Sequence, residues 1–206
     1  MCLGRWLDAV LFFKHNRVLE EPPPPPPPEV FTATLLPIAD AYVAEGAPNK
    51  NYGTLTYLVL QSATNSNQRA FLKWDMSSLP VGAVISLAKL RLYCYYVFNL
   101  LPGVTDLEAR RVSDDSWAET TIKWVNQPAY GDVEDTQPVV DDAWAEWTVT
   151  SWAQDQLAGD KVLGVVLRCV GEDYDSQARS SQWHSRDTTA FPSLRPQLYI
   201  EYTVSA

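Results

Sequence analysis

From residue 30 onward, apolar and polar positions alternate in short runs separated by turn residues. TYLVLQS (56–62), RAFLKWD (69–75) and KLRLYCYYVF (89–98) are three such runs. DLEARRV (106–112), TIKWV (121–125), AEWTVT (145–150), KVLGVVLRCV (161–170) and QLYIEYTV (197–204) follow. A period of two places successive side chains on opposite faces of a strand. In KLRLYCYYVF it predicts Leu90, Leu92, Cys94, Tyr96 and Phe98 on one face. Turn-forming residues fill the gaps, as in APNKNYGT and MSSLPVGA. WAQDQLA (152–158) has a helical pattern, with Thr150 or Ser151 as its cap and Gly159 closing it. Many short strands and little helix predict an all-β fold, an antiparallel jelly-roll β-sandwich.

The first 29 residues read differently. Leu3, Trp6, Leu7, Val10 and Leu11 follow i, i+3, i+4, i+7, i+8, which puts them on one face of a helix. A peptide this short needs a surface to dock against before it is stably helical. Pro22 to Pro28 follow, seven prolines in a row. They favour a polyproline II rod of roughly 20 Å. The expected organisation is an N-terminal docking peptide (1–21), a polyproline II linker (22–28) and a β-sandwich module (29–206). Ala9 to Phe13 is a short apolar run flanked by Asp8 and Lys14. It makes a poor signal peptide and is too short to span a bilayer.

Composition narrows the function. The chain has 206 residues, 46% hydrophobic and 20% charged, with a net charge of −9. A basic footprint for nucleic acid is missing. Eight Trp and ten Tyr favour strands and surfaces that recognise sugars or proteins. Three cysteines, Cys2, Cys94 and Cys169, have no CxxC spacing. Cys94 and Cys169 read as inward strand positions, and the sequence leaves open whether they are buried thiols or one bridge.

Four stretches resemble the DNRLRE domain, a jelly-roll module grouped with carbohydrate-binding modules. They are ADAYV…PNKNYGT (39–54), QRAFLKWDMSSLPVGAVISLAKLRLY (68–93), SWAETTIKWVNQP (116–128), and WTVTSWAQDQLAG…GVVL with the closing SRDTTAFPSLRPQLYIEY. In order, they cover nearly all of residues 38–204. Val125 stands where another polar residue is expected, and SQWHSRD departs from the usual residue before its Ser-Arg-acid step. The resemblance implies polysaccharide recognition and names no residue for it. In these motifs Gly53 is expected to supply a positive φ in a tight loop, while Trp117 and Trp124 are expected to be core or semi-buried anchors.

The residues themselves suggest where a ligand would sit. Stacking on sugar needs exposed rings beside polar groups. Tyr130, Tyr174 and Trp183 fall in polar loop sequence, with Arg179 and Arg186 close by. Hard oxygen ligands from loops suit a structural calcium ion; Asp40, Asp173 and Asp175 are the candidates. No cofactor is required. Ser181, His184 and Asp187 crowd one segment without a nucleophile elbow or oxyanion-hole glycines, so no triad is expected and the protein is read as non-enzymatic.

Two functions remain. One is a surface-displayed structural or decoration component of a capsid, fibre or filament, held to other subunits through residues 1–21 and able to bind polysaccharide. The other is a secreted carbohydrate-binding module for cell-surface or acidic polysaccharide. Both place the protein outside a cell or on a virion or filament surface.

Overall fold

A computed structural model describes residues 27–204. The docking peptide, with Leu3, Trp6, Leu7, Val10 and Leu11, and most of the proline run lie outside the described residues. The strands are β1 (Phe31–Leu35), β2 (Ala39–Ala44), β3 (Tyr57–Ser62), β4 (Gln68–Asp75), β5 (Ala83–Phe98) and β6 (Leu107–Val112). After them come β7 (Val133–Gln137), β8 (Ala143–Thr148), helix α1 (Thr150–Ala158), β9 (Val162–Cys169), β10 (Arg179–His184) and β11 (Gln197–Val204). Among the described residues no helix is long and apolar enough to cross a membrane.

The strand pairs of this all-β domain are antiparallel. The order is β1-β11-β5-β10-β3-β4-β9-β6-β7, with β2 also on β4 and β8 also on β5. β3 and β4 share a single pair, Gln61 with Gln68, so the sheet curls there and closes on itself as a sandwich. Leu58, Leu60, Leu90, Leu92 and Trp183 from one half meet Leu72, Trp74, Leu163 and Leu167 from the other in the main core. Burying each such side chain contributes roughly 1.5–3 kcal/mol.

β4 and β9 are buried on both faces. Leu72 and Val165 point into the main core, whereas Phe71 and Val166 point the other way, against Trp117 and Ile122. The segment between β6 and β7 therefore covers the outer face of the second half-sheet. TIKWV is part of that cover and contains a 3-10 turn, Trp124–Asn126, instead of the expected strand. Asn126 explains the difference: its side chain accepts the Lys123 N–H and donates to the Thr121 carbonyl, closing the turn locally. Trp117 is buried as expected, and Trp124 is half-buried under the Arg69 guanidinium, 4.3 Å from the ring centroid.

α1 begins at Thr150 with Val149 at the cap position. Neither expected cap residue acts as one. Thr150 Oγ1 accepts the Ala88 N–H of β5 at 3.0 Å, and Ser151 Oγ donates to Glu134 at 2.7 Å. Both hydroxyls tie the helix to strands rather than to its own first turn. Cys94 and Cys169 are buried free thiols. Burial pushes their pKa values up, to about 11 and about 12.

Candidate carbohydrate-binding site

The alternation in β5 breaks at one residue. Against β10, Trp183 pairs with Cys94 and Gln182 with Tyr96, so Tyr95 is an extra residue in a bulge. Leu90, Leu92 and Cys94 point inward as expected. Beyond the bulge the phase inverts: Tyr96 and Phe98 are exposed, and Val97 packs on the core. The expected five-residue face therefore ends at Cys94.

The bulge gathers rings on the outer face. His184, the last residue of β10, stacks on Tyr95 with centroids 4.7 Å apart and lies 6.1 Å from Tyr93. Phe191, from the loop after β10, leans on His184 at 5.1 Å and is 53% exposed. Trp144 of β8 meets Tyr93 edge-on at 5.5 Å. Tyr93, Tyr95, His184 and Phe191 line an open cleft of ≈ 580 Å³. Thr56, Thr188, Thr189 and Asp142 also line it. Tyr93 Oη donates to Asp142 Oδ1 at 2.8 Å, and Tyr95 Oη donates to Gln182 at 2.8 Å. Burial lowers the pKa of His184, which favours the neutral imidazole. Rings with polar neighbours in a concave site suit a sugar, whose faces are apolar and whose edges carry hydroxyls.

The loop behind the cleft is fixed by the motif residues. The Asp40 carboxyl group is buried, and its Oδ2 accepts the Arg186 N–H at 2.7 Å. The Asp40 N–H donates to Glu119 Oε1 at 2.9 Å, and the Arg186 guanidinium sits 3.3 Å from the same carboxylate. Asn51 Nδ2 donates to the Glu119 and Ile122 carbonyls at 2.8 and 2.7 Å. Gly53 has no positive φ. It is needed because a Cβ there would lie 2.0 Å from the Glu119 carbonyl oxygen. The opening strand, the Asn-Tyr-Gly loop, the Trp-Ala-Glu segment and the Ser-Arg-Asp step thus meet at one clasp. Burial pushes the Asp40 pKa up to about 8; the charges of Glu119 and Asp187 add to this and the Arg186 N–H opposes it.

The residues named from sequence are dispersed. Trp183 belongs to β10 and is fully buried, its indole N–H donating to Ser181 Oγ at 2.8 Å. It offers no face to a ligand; its neighbour His184 lines the cleft instead. Tyr174 and Arg179 come together, with the guanidinium 5.4 Å from the ring centroid, and Arg179 is also paired with Asp175. Tyr130 sits in another cluster, accepting a hydrogen bond from Arg168 at 3.0 Å. Arg69 and Arg110 flank its ring, 5.3 and 5.8 Å from the centroid.

The calcium candidates are also apart. Asp173 Oδ1 accepts from Asn67 Nδ2 and the Asn65 N–H. Asp175 is bound to Arg179, and Asp40 is enclosed in the clasp. Among the described residues no group of three or more His, Cys, Asp or Glu side chains is placed to hold a metal. Ser181 faces the core while His184 faces the cleft, and no hydrogen bond among the described residues joins them to Asp187.

An antiparallel sandwich with an open, ring-lined cleft has the form of a binding module. The chain belongs to carbohydrate-binding module family 96, whose family model matches residues 31–202. No curated protein matches the chain.

Proposed function

We propose that this module binds a polysaccharide chain in the cleft between β5, β10 and the loop that carries Phe191. The observation that carries the reading is the convergence of Tyr93, Tyr95, His184 and Phe191 around ≈ 580 Å³ of open space. Membership of a carbohydrate-binding family supports the ligand class. In this role the module acts where polysaccharide is met, at a cell or particle surface. Anchoring in a larger assembly rests on the sequence pattern of residues 1–28 alone, as does the spacing role of Pro22 to Pro28. Deleting residues 1–28 and comparing particle size with the full chain tests that part.

The cleft is tested by Phe191→Ala and Tyr95→Ala in affinity electrophoresis against soluble polysaccharides. Each variant is expected to weaken binding about tenfold, equivalent to about 1.4 kcal/mol, with the thermal transition retained. Unchanged retardation in both variants would remove the cleft from the binding surface.

A further inference from the structure

We propose that β1 is the contact edge of a dimer, pairing antiparallel with β1 of a second copy across a two-fold axis at Ala33. Among the described residues β1 pairs only with β11, so one row of its N–H and C=O groups faces outward. Such a row is a template for a further strand. The main strand path has two ends, and they differ. β7, at one end, carries Glu134 and Asp135 and a register shift against β6, and both features hinder pairing. β1, at the other, has neither. VFTATLL, residues 30–36, contains no charge and no proline, and the ladder with β11 runs without a shift. In a chain of net charge −9, an uncharged edge lets two copies meet with little repulsion.

The segment is complementary to itself, which makes a second copy the occupant. An antiparallel pair centred on Ala33 sets Val30 opposite Leu36, Phe31 opposite Leu35 and Thr32 opposite Thr34 of the other copy. Apolar meets apolar and Thr meets Thr along the whole ladder, as cross-strand pairs favour. Centring the pair on Thr32 or Thr34 instead sets a Thr opposite Val30 or Leu36. Val30 and Leu36, 55% and 52% exposed, cover each other only in the first register. Phe31, Ala33 and Leu35 share the inward face, where Phe31 stacks on Tyr202 and the other two pack on the core. The partner strand extends that face. Pro37 then lies opposite Glu29 and, without an N–H, ends the ladder. The two-fold axis uses the free edge of both copies, so the assembly closes at two.

The test is sedimentation velocity of the full chain under reducing conditions. A ladder this short is small beside the interfaces of stable complexes, so dimer is expected at about 100 μM and monomer at about 1 μM. Thr32→Lys/Thr34→Lys is expected to stay monomeric at both, because each new Lys faces a Lys of the other copy. Both side chains are exposed, and Thr32 lies beside Glu201 of β11, so the fold accommodates the change. Thr32→Glu/Thr34→Glu should also be monomeric, and an equimolar mixture of the two variants should restore the dimer, since Lys then faces Glu. In the wild type, hydrogen exchange at the outward amides of β1 should slow as concentration rises from about 1 to about 100 μM. A wild type that is monomeric at about 100 μM overturns the proposal. A dimer that Thr32→Lys/Thr34→Lys leaves intact, a mixture that stays monomeric, or β1 exchange unaffected by dimer formation does the same.

Discussion

Gly53 and Glu119 touch backbone to backbone: a Cβ on residue 53 would fall 2.6 Å from the Glu119 carbonyl carbon and 2.0 Å from its oxygen. The contact brings the Asn51 side chain under the Glu119 and Ile122 carbonyls. Gly53→Ala must push the covering segment off the sheet. It is expected to cost about 2 kcal/mol or more, read as a lower urea midpoint. Wild-type stability in Gly53→Ala would show that the two segments are not held in this register.

The clasp around Asp40 makes stability depend on pH. Its carboxyl has an ordinary pKa of 3.8 and is pushed up to about 8 in the fold. The folded state therefore binds this proton more tightly than the unfolded state. The stabilisation is complete below the unfolded value and is lost as pH rises through about 8. Each unit of the shift corresponds to about 1.4 kcal/mol. His184, lowered by burial, acts with the opposite sign, but below its ordinary value of 6.5. The denaturation midpoint should thus fall between about pH 7 and about pH 8.5, and Asp40→Asn should flatten that fall. A midpoint that rises or stays level in the wild type over this window would contradict the buried, protonated Asp40.

Trp183 and His184 are neighbours with opposite duties. Trp183→Ala is expected to destabilise the module by about 3–5 kcal/mol, as loss of a buried aromatic does. Trp183→Phe should cost less and leave glycan affinity unchanged, because no part of the indole reaches the cleft. Reduced affinity in a fully folded Trp183→Phe would place the ring in the binding surface after all.

The two buried thiols should be inert. In a Cys2→Ser background, a thiol reagent is expected to label no residue in the native state and both Cys94 and Cys169 after denaturation, counted by mass. Burial raises both pKa values, so little thiolate is present near neutral pH. Native labelling of either residue would indicate an opening at β5 or β9.

Strand positions were legible where the apolar residues run on, as in the doubly buried β4 and β9, or alternate, as in β11. β10 hid because its inward residues include Arg179 and Ser181, and the hydroxyl earns its place by accepting the Trp183 indole. β7 hid behind its acids: Asp135 accepts the Thr148 N–H and Glu134 pairs with Arg111, so these side chains hold β7 to β8 and to β6. The cleft was beyond a reading of period two. A bulge depends on the partner strand, and only pairing with β10 shows that Tyr95 is the extra residue. The motif residues were found as a set, but their reason lies in a contact between distant loops. For Gly53 that reason is close approach rather than the positive φ its loop suggested.

The module begins and ends in one ladder. Phe31 pairs with Tyr202, their rings 5.7 Å apart, and Leu35 pairs with Leu198 at the far end of the same strands. The polypeptide therefore enters and leaves at one corner. A pull on residues 30 and 203 in opposite directions would load these hydrogen bonds one after another, as a zipper opens, and not all at once in shear. β1 would peel away first under modest force, lengthening the chain while the sandwich behind it, cleft included, stayed closed.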